Sequence, residues 1–132
     1  MSWHSNLKTG LTRFDRQHQE IFRRLELILY VDESRNMEDS FIFIEDYFLF
    51  HTAQEERLHE ELAYPKAGEH RDEHEAFGNF AQRFRRESMQ SERDADALLV
   101  TYSNITSLLT QHIKEHDRDF AEYFLSLGKP AL

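Results

Sequence analysis

The chain has 132 residues, 39% hydrophobic and 31% charged, and a formal charge of −9. That length and composition fit one soluble globular domain with a real core, and the acidic balance argues against nucleic acid as a partner, because phosphate binding needs a basic face. The absence of cysteine excludes disulfides, thiolate zinc sites and cysteine-ligated iron–sulfur clusters. No run approaches the roughly 20 apolar residues of a membrane helix, and Met1-Ser2-Trp3-His4 does not open a signal peptide, so a cytoplasmic protein is expected.

Only four Gly and two Pro favour long helices over a turn-rich β fold. Residues 1–11 read as a non-helical arm carrying Trp3. The first helix is expected from about Thr12–Asp15 to Val31, with Phe14, His18, Ile21, Leu25 and Ile28 recurring at three- and four-residue steps. Asp32 to Asn36 form a polar connection. The second helix reads from Met37 to Ala63, with an inner stripe of Phe41, Ile44, Phe48, His51, Glu55, Leu58 and Leu62. Tyr64-Pro65 ends it, since proline disfavours a helical residue before it. The third helix spans about Lys66 to Glu87 and carries His70, His74, Phe77, Ala81 and Phe84 on one face. After Ser88 to Arg93, the fourth runs from Asp94 to Leu127, with Leu98, Tyr102, Ile105, Leu109 and His112 inward and Gly128-Lys129-Pro130 beyond. Short connections predict an all-α, up-down-up-down four-helix bundle over residues 12–127.

Metal-ligand residue types fall on these inner faces. His51 with Glu55, and His70 with His74, stand one helical turn apart, so each pair aims two donors at one point. His112 with Asp117 forms a third pair and His18 stands alone on the first helix. Imidazole suits iron, zinc and copper, and a carboxylate can bridge two ions. Five imidazoles and two carboxylates are too many for one ion and well matched to two. Glu55 is the sharpest element, because a buried carboxylate is costly unless paired or metal-bound and its stripe contains no Lys or Arg.

Spacing leaves one choice open. From His112, His116 lies one turn along and about 40° around, whereas Asp117 lies about 140° around on α-helical geometry. His4, His59 and His116 otherwise read as ordinary histidines, and His59, beside the stripe rather than on it, is expected in solvent. The apolar runs Phe41–Ile44 and Tyr47–Phe50 cover most sides of the second helix, and burial under neighbouring helices and the arm is the preferred reading. An oligomer or partner interface is the alternative.

Taken together, Trp3 and Gly10 ahead of Asp15-Arg16-Gln17-His18, then His51-Thr52-Ala53-Gln54-Glu55-Glu56, Tyr64-Pro65, His70-Arg71-Asp72-Glu73-His74 and His112-Ile113-Lys114-Glu115-His116-Asp117, resemble the hemerythrin family. The likeness is to its single-domain bacterial members and runs over nearly the whole chain. It implies a non-haem di-iron centre in which His70, His74 and His112 ligate one iron and His18 and His51 the other. Glu55 and Asp117 would bridge them, together with an oxo or hydroxo group. These donors leave one of the roughly twelve positions of two octahedral irons open, on the iron with two histidines. Two departures from the family pattern stand beside the ligands. Thr52 replaces an aromatic residue and Leu109 a tryptophan, and a pocket-lining Thr52 hydroxyl would favour faster autoxidation.

The function implied is reversible dioxygen binding by a carrier, store or delivery protein rather than an enzyme. Two alternatives are an oxygen or redox sensor acting through a partner protein, and a di-iron peroxidase, oxidase or nitric oxide-handling enzyme. A protein partner or homo-oligomer would use the second helix.

Overall fold

The computed structural model describes residues 3, 5–30, 37–90 and 95–129. His4, most of the two polar connections, Pro130 and the side chains of Ile28, Phe84 and Leu98 lie outside the described residues. A short 3-10 turn, Ser5–Leu7, interrupts the arm that the sequence reads as non-helical. It is followed by α1 (Thr12–Glu26), a 3-10 turn Leu27–Tyr30, α2 (Met37–Glu61), α3 (Ala67–Gln90) and α4 (Ala95–His112). A π-helical turn, Ile113–Asp117, then leads into α5 (Arg118–Ser126). α1 packs on α2 and α4, α2 on α3, and α3 on α4, which closes an all-α four-helix bundle. The single fourth helix expected from Asp94 to Leu127 is therefore three pieces, α4, the π-turn and α5. Among the described residues no helix is long and apolar enough to cross a membrane.

α1 forms because its apolar residues keep helical spacing. Phe14, Ile21, Phe22 and Leu25 are buried with His18, while Arg13, Arg16, Gln19 and Arg23 face solvent. Each buried large apolar side chain contributes roughly 1.5–3 kcal/mol. Leu11, at the N-cap, has no side chain to cap the helix. Instead Asp15, in the first turn, accepts hydrogen bonds from the Thr9 amide and hydroxyl at 2.8 Å each and from the Gly10 amide at 3.3 Å. This ties the arm to α1. Gly10 has φ +99°, a left-handed conformation that any side chain would strain.

α2 ends in a Schellman motif. The Tyr64 amide donates to the His59 carbonyl and the Ala63 amide to that of Glu60, with Ala63 at φ +50°. Tyr123, from α5, donates its hydroxyl to the freed Leu62 carbonyl at 2.7 Å.

The apolar interior is divided in two. One cluster gathers Ile21, Phe22, Phe41, Ile44, Phe48, Tyr102, Ile105 and Leu109, with Trp3 of the arm packed on its edge. The other gathers Leu11, Phe14, Tyr64, Phe120, Ala121 and Phe124. Only half of the apolar face of α2 is buried, contrary to the preferred reading. Phe41, Ile44 and Phe48 are inside, whereas Ile42, Phe43, Leu49 and Phe50 are exposed, Leu49 by 63%. An apolar stripe covers little more than one face of a helix, and these four fall beyond it. The Arg24 guanidinium lies 3.9 Å over the Phe43 ring and bonds its carbonyl.

Asp15→Ala strands two backbone amides of the arm. It is expected to lower stability by about 1–3 kcal/mol in denaturant titration, with metal content unchanged.

Candidate metal centre

Between the two apolar clusters lies a polar layer. His18 comes from α1, His51 and Glu55 from α2, His70 and His74 from α3, His112 from the end of α4 and Asp117 from the end of the π-turn. Each of the seven is no more than 5% exposed. All seven residues read as ligands from the sequence thus meet in one place.

The π-turn sets which of Asp117 and His116 faces the cluster. In a straight α-helix Asp117 would stand about 140° away from His112. A π-turn closes its hydrogen bond on the fifth residue instead of the fourth, and here the Arg118 amide bonds the Ile113 carbonyl. The widened turn brings Asp117 onto the inner face, with Oδ1 3.1 Å from His112 Nε2. His116 is rotated outward to a half-buried position, its Nε2 3.8 Å from Glu73. One widened turn thus brings inward the residue that α-helical spacing would point away.

The donor atoms form two groups that share both carboxylates. Glu55, His70, His74, His112 and Asp117 make one, and His18, His51, Glu55 and Asp117 the other, with the atoms of each within 4.8 Å of one another. Glu55 Oε1 lies 2.9 Å from Nε2 of both His70 and His74. Asp117 Oδ1 lies 2.8 Å from His70 Nε2, while its Oδ2 lies 2.9 Å from His18 Nε2. Glu55 Oε2 is 3.9 Å from His51 Nε2. Ligands about 2.1 Å from a common ion at right angles stand about 3.0 Å apart, the spacing most of these pairs show. Yet Nε2 of His18, His74 and His112, Glu55 Oε1 and Asp117 Oδ2 are buried without a hydrogen bond. Atoms this close and this poorly satisfied suit metal ligation better than a hydrogen-bond network.

Charge balance tells the same story. Burial opposes a charged His70, but Asp117 and Glu55 outweigh it and push the ring up to about 10. Burial likewise opposes a charged His74, and Glu55 overrides it to raise that ring. Burial and the neighbouring Asp117 charge oppose ionisation of Glu55, yet His70 and His74 hold it below the usual carboxylate range. Asp117 is held well below its usual value despite burial, first by His112. Burial pushes His51 down to about 3. Without metal, protonated imidazoles balance the two carboxylates, and a cation must displace those protons.

Several groups beyond the seven orient them. His51 Nδ1 contacts Gln17 Oε1 at 2.6 Å, and Gln17 donates its amide to Gln54 Oε1 at 2.8 Å. His74 Nδ1 bonds Glu56 at 2.9 Å. Each contact turns Nε2 toward the cluster. The sequence carries no signal for these roles, because polar residues on helices usually read as solvated. His59, expected in solvent, is 1% exposed. The Schellman turn folds Tyr64 back over it, and its ring meets Tyr64 at 5.0 Å, Phe120 at 4.3 Å and His70 at 4.5 Å. Burial pushes it down to about 4. Thr52 is buried, but its hydroxyl donates to the Leu49 carbonyl at 3.2 Å, so it is committed within its own helix.

The metal-free protein is expected to melt highest near pH 6.5. Stability from His51 and His59, whose folded values are depressed, is present above about 6.5 and lost as pH falls toward 3–4. Stability from His70, whose value is raised, is full below about 6.5 and lost as pH rises through about 10. Thermal melts of chelator-treated protein across pH 4–10 check this, and a curve rising steadily to alkaline pH would contradict it.

A family model described as the hemerythrin HHE cation binding domain matches residues 9–124. The chain is 23% identical over 127 residues to the bacteriohemerythrin of Clostridium acetobutylicum, an alignment covering 91% of this chain and 98% of that protein. It is 28% identical over 123 residues to the bacteriohemerythrin of Stenotrophomonas maltophilia, covering 91% and 78%. With the match spanning almost all of the bundle, the chain belongs to the hemerythrin family, and its buried cluster is able to hold that family's non-haem di-iron centre.

Proposed function

We propose that the protein binds dioxygen reversibly at a di-iron centre and serves as a carrier, store or local source of oxygen. His70, His74 and His112 would hold one iron and His18 and His51 the other, with Glu55 and Asp117, which belong to both donor groups, shared between them. The observation that carries this reading is the unequal division of donors, five atoms in one group and four in the other. A metal pair taking both groups would find fewer protein donors on the side of His18 and His51, which would leave that ion room for a small ligand. A pair of ferrous ions supplies the two electrons needed to hold dioxygen there.

The surroundings support binding over catalysis. An apolar cavity of about 70 Å³ is lined by Ile21 and Phe48, one turn from His18 and His51 respectively, together with Phe77 and Ile105. None of the seven donors lines this cavity, but its volume of about 70 Å³ is room for a diatomic gas on the apolar side of the site. Phe14 lies edge-on to His51 at 5.6 Å and Phe48 to His74 at 6.4 Å, which keeps water and protons scarce. Thr52, with its hydroxyl held by Leu49, offers the bound gas no hydrogen bond, which weakens the case for rapid autoxidation.

A sensor role finds support in the exposed Ile42, Leu49 and Phe50 on α2. Such a patch suits a partner protein.

Ferrous protein reconstituted anaerobically is expected to gain a visible charge-transfer band in air and to lose it when oxygen is removed. Immediate decay to the ferric spectrum would rule out carriage. Asp117→Ala is expected to reduce the iron retained from two to at most one per chain, whereas His116→Ala retains two. Equal loss in both, by metal analysis, would overturn the assignment of Asp117.

A further inference from the structure

His59 is the one buried histidine among the described residues that the di-iron reading leaves without a role. It is 1% exposed, and neither ring nitrogen has a hydrogen-bond partner. Its ring lies 4.5 Å from that of His70, at 43°, and His70 Nδ1 is buried and unpartnered as well. Two neighbouring imidazoles thus present unused donors and acceptors in a pocket otherwise walled by Tyr64 and Phe120.

A ligating imidazole that gives one nitrogen to a metal almost always donates the other N–H to an acceptor, which fixes its tautomer and ring orientation. His51 has Gln17 for this purpose and His74 has Glu56. His70 turns Nε2 to Glu55 and Asp117, so Nδ1 carries the N–H that needs a partner. His74 and His112, also near it at 4.5 and 5.0 Å, turn Nε2 to the same carboxylates, and His116 stands farther off at 5.8 Å and faces the exposed Glu73. We propose that His59 is the positioning residue for His70, its ring nitrogen accepting the His70 Nδ1–H once metal is bound. The rest of the His59 ring is packed against Phe120, whose ring stands 4.3 Å away at 70°.

The proposal rests on the assignment of His70 as a ligand. Packing alone does not require a histidine here, because the contact between His59 and Tyr64 across the Schellman turn is one that any apolar side chain makes. The chemistry of the ring is what an apolar replacement would remove.

The test compares wild type, His59→Leu and His59→Gln as diferrous proteins, following the loss of iron to a ferrous chelator without oxygen. His59→Leu is expected to lose one of its two irons about 10–100-fold faster than wild type. His59→Gln, which restores a carbonyl acceptor, is expected to stay close to wild type. Equal rates in all three, or equally fast loss in both variants, would overturn the proposal, the second by making the role one of shape. Should His59→Leu fail to fold, zinc-loaded wild type labelled with ¹⁵N decides the matter. A nitrogen–nitrogen coupling between the His59 and His70 rings across the hydrogen bond supports the proposal, and its absence sinks it. Wild type that takes up no iron at all removes the di-iron reading and this proposal together, and shows it before any variant is made.

Discussion

Burying Glu55 and Asp117 side by side in the middle of a bundle is the constraint around which the rest of this structure is arranged. Two carboxylates at 1% and 2% exposure repel each other and lose their hydration, a cost of several kcal/mol per ion. Five imidazoles surround them, and apolar clusters close the layer from above and below. The same arrangement that makes the metal-free layer uneasy makes it receptive. Each carboxylate reaches both donor groups, so a pair of cations meets both charges at once.

The π-turn serves that constraint. A straight helix offers positions three and four apart on one face, and His112 would then be joined by His116, another imidazole. Widening one turn substitutes an acidic residue for a histidine at the inner position without a break in the rod. His112, Asp117 and Arg118 all keep right-handed helical dihedrals. π-turns recur at functional sites for this reason, since an extra residue re-aims a side chain.

Much of this was legible in the chain. The helices and their inner faces follow from three- and four-residue apolar periodicity, and Glu55 stood out because its stripe lacked any basic partner. Asp117 was different: α-helical spacing argued against it, and only the resemblance to hemerythrins pointed to it. Sequence periodicity assumes a fixed pitch and fails where the pitch changes. His59 misled for a related reason. At a helix end the chain turns back, and Tyr64 and Phe120 cover a position that helical phase alone assigns to solvent. Gln17, Gln54 and Glu56 were invisible because hydrogen-bonding partners across helices leave no mark on periodicity. Leu49 and Phe50 erred the other way, since apolar type alone does not tell which side of a helix finds neighbours.

The widened turn also locks the reading frame of everything beyond it. Drawing Ile113–Asp117 back to α-helical pitch with all five residues kept would rotate α5 by about 100° about its axis. Phe120 and Phe124 would swing out of the lower cluster, and Tyr123 away from the Leu62 carbonyl. Losing the wide turn alone would thus strip the carboxylate from the centre and unseat the far end of the core in the same step. Straightening the helix keeps α5 in phase only if one residue is removed at the same time, so the extra residue and the wide turn stand or fall together.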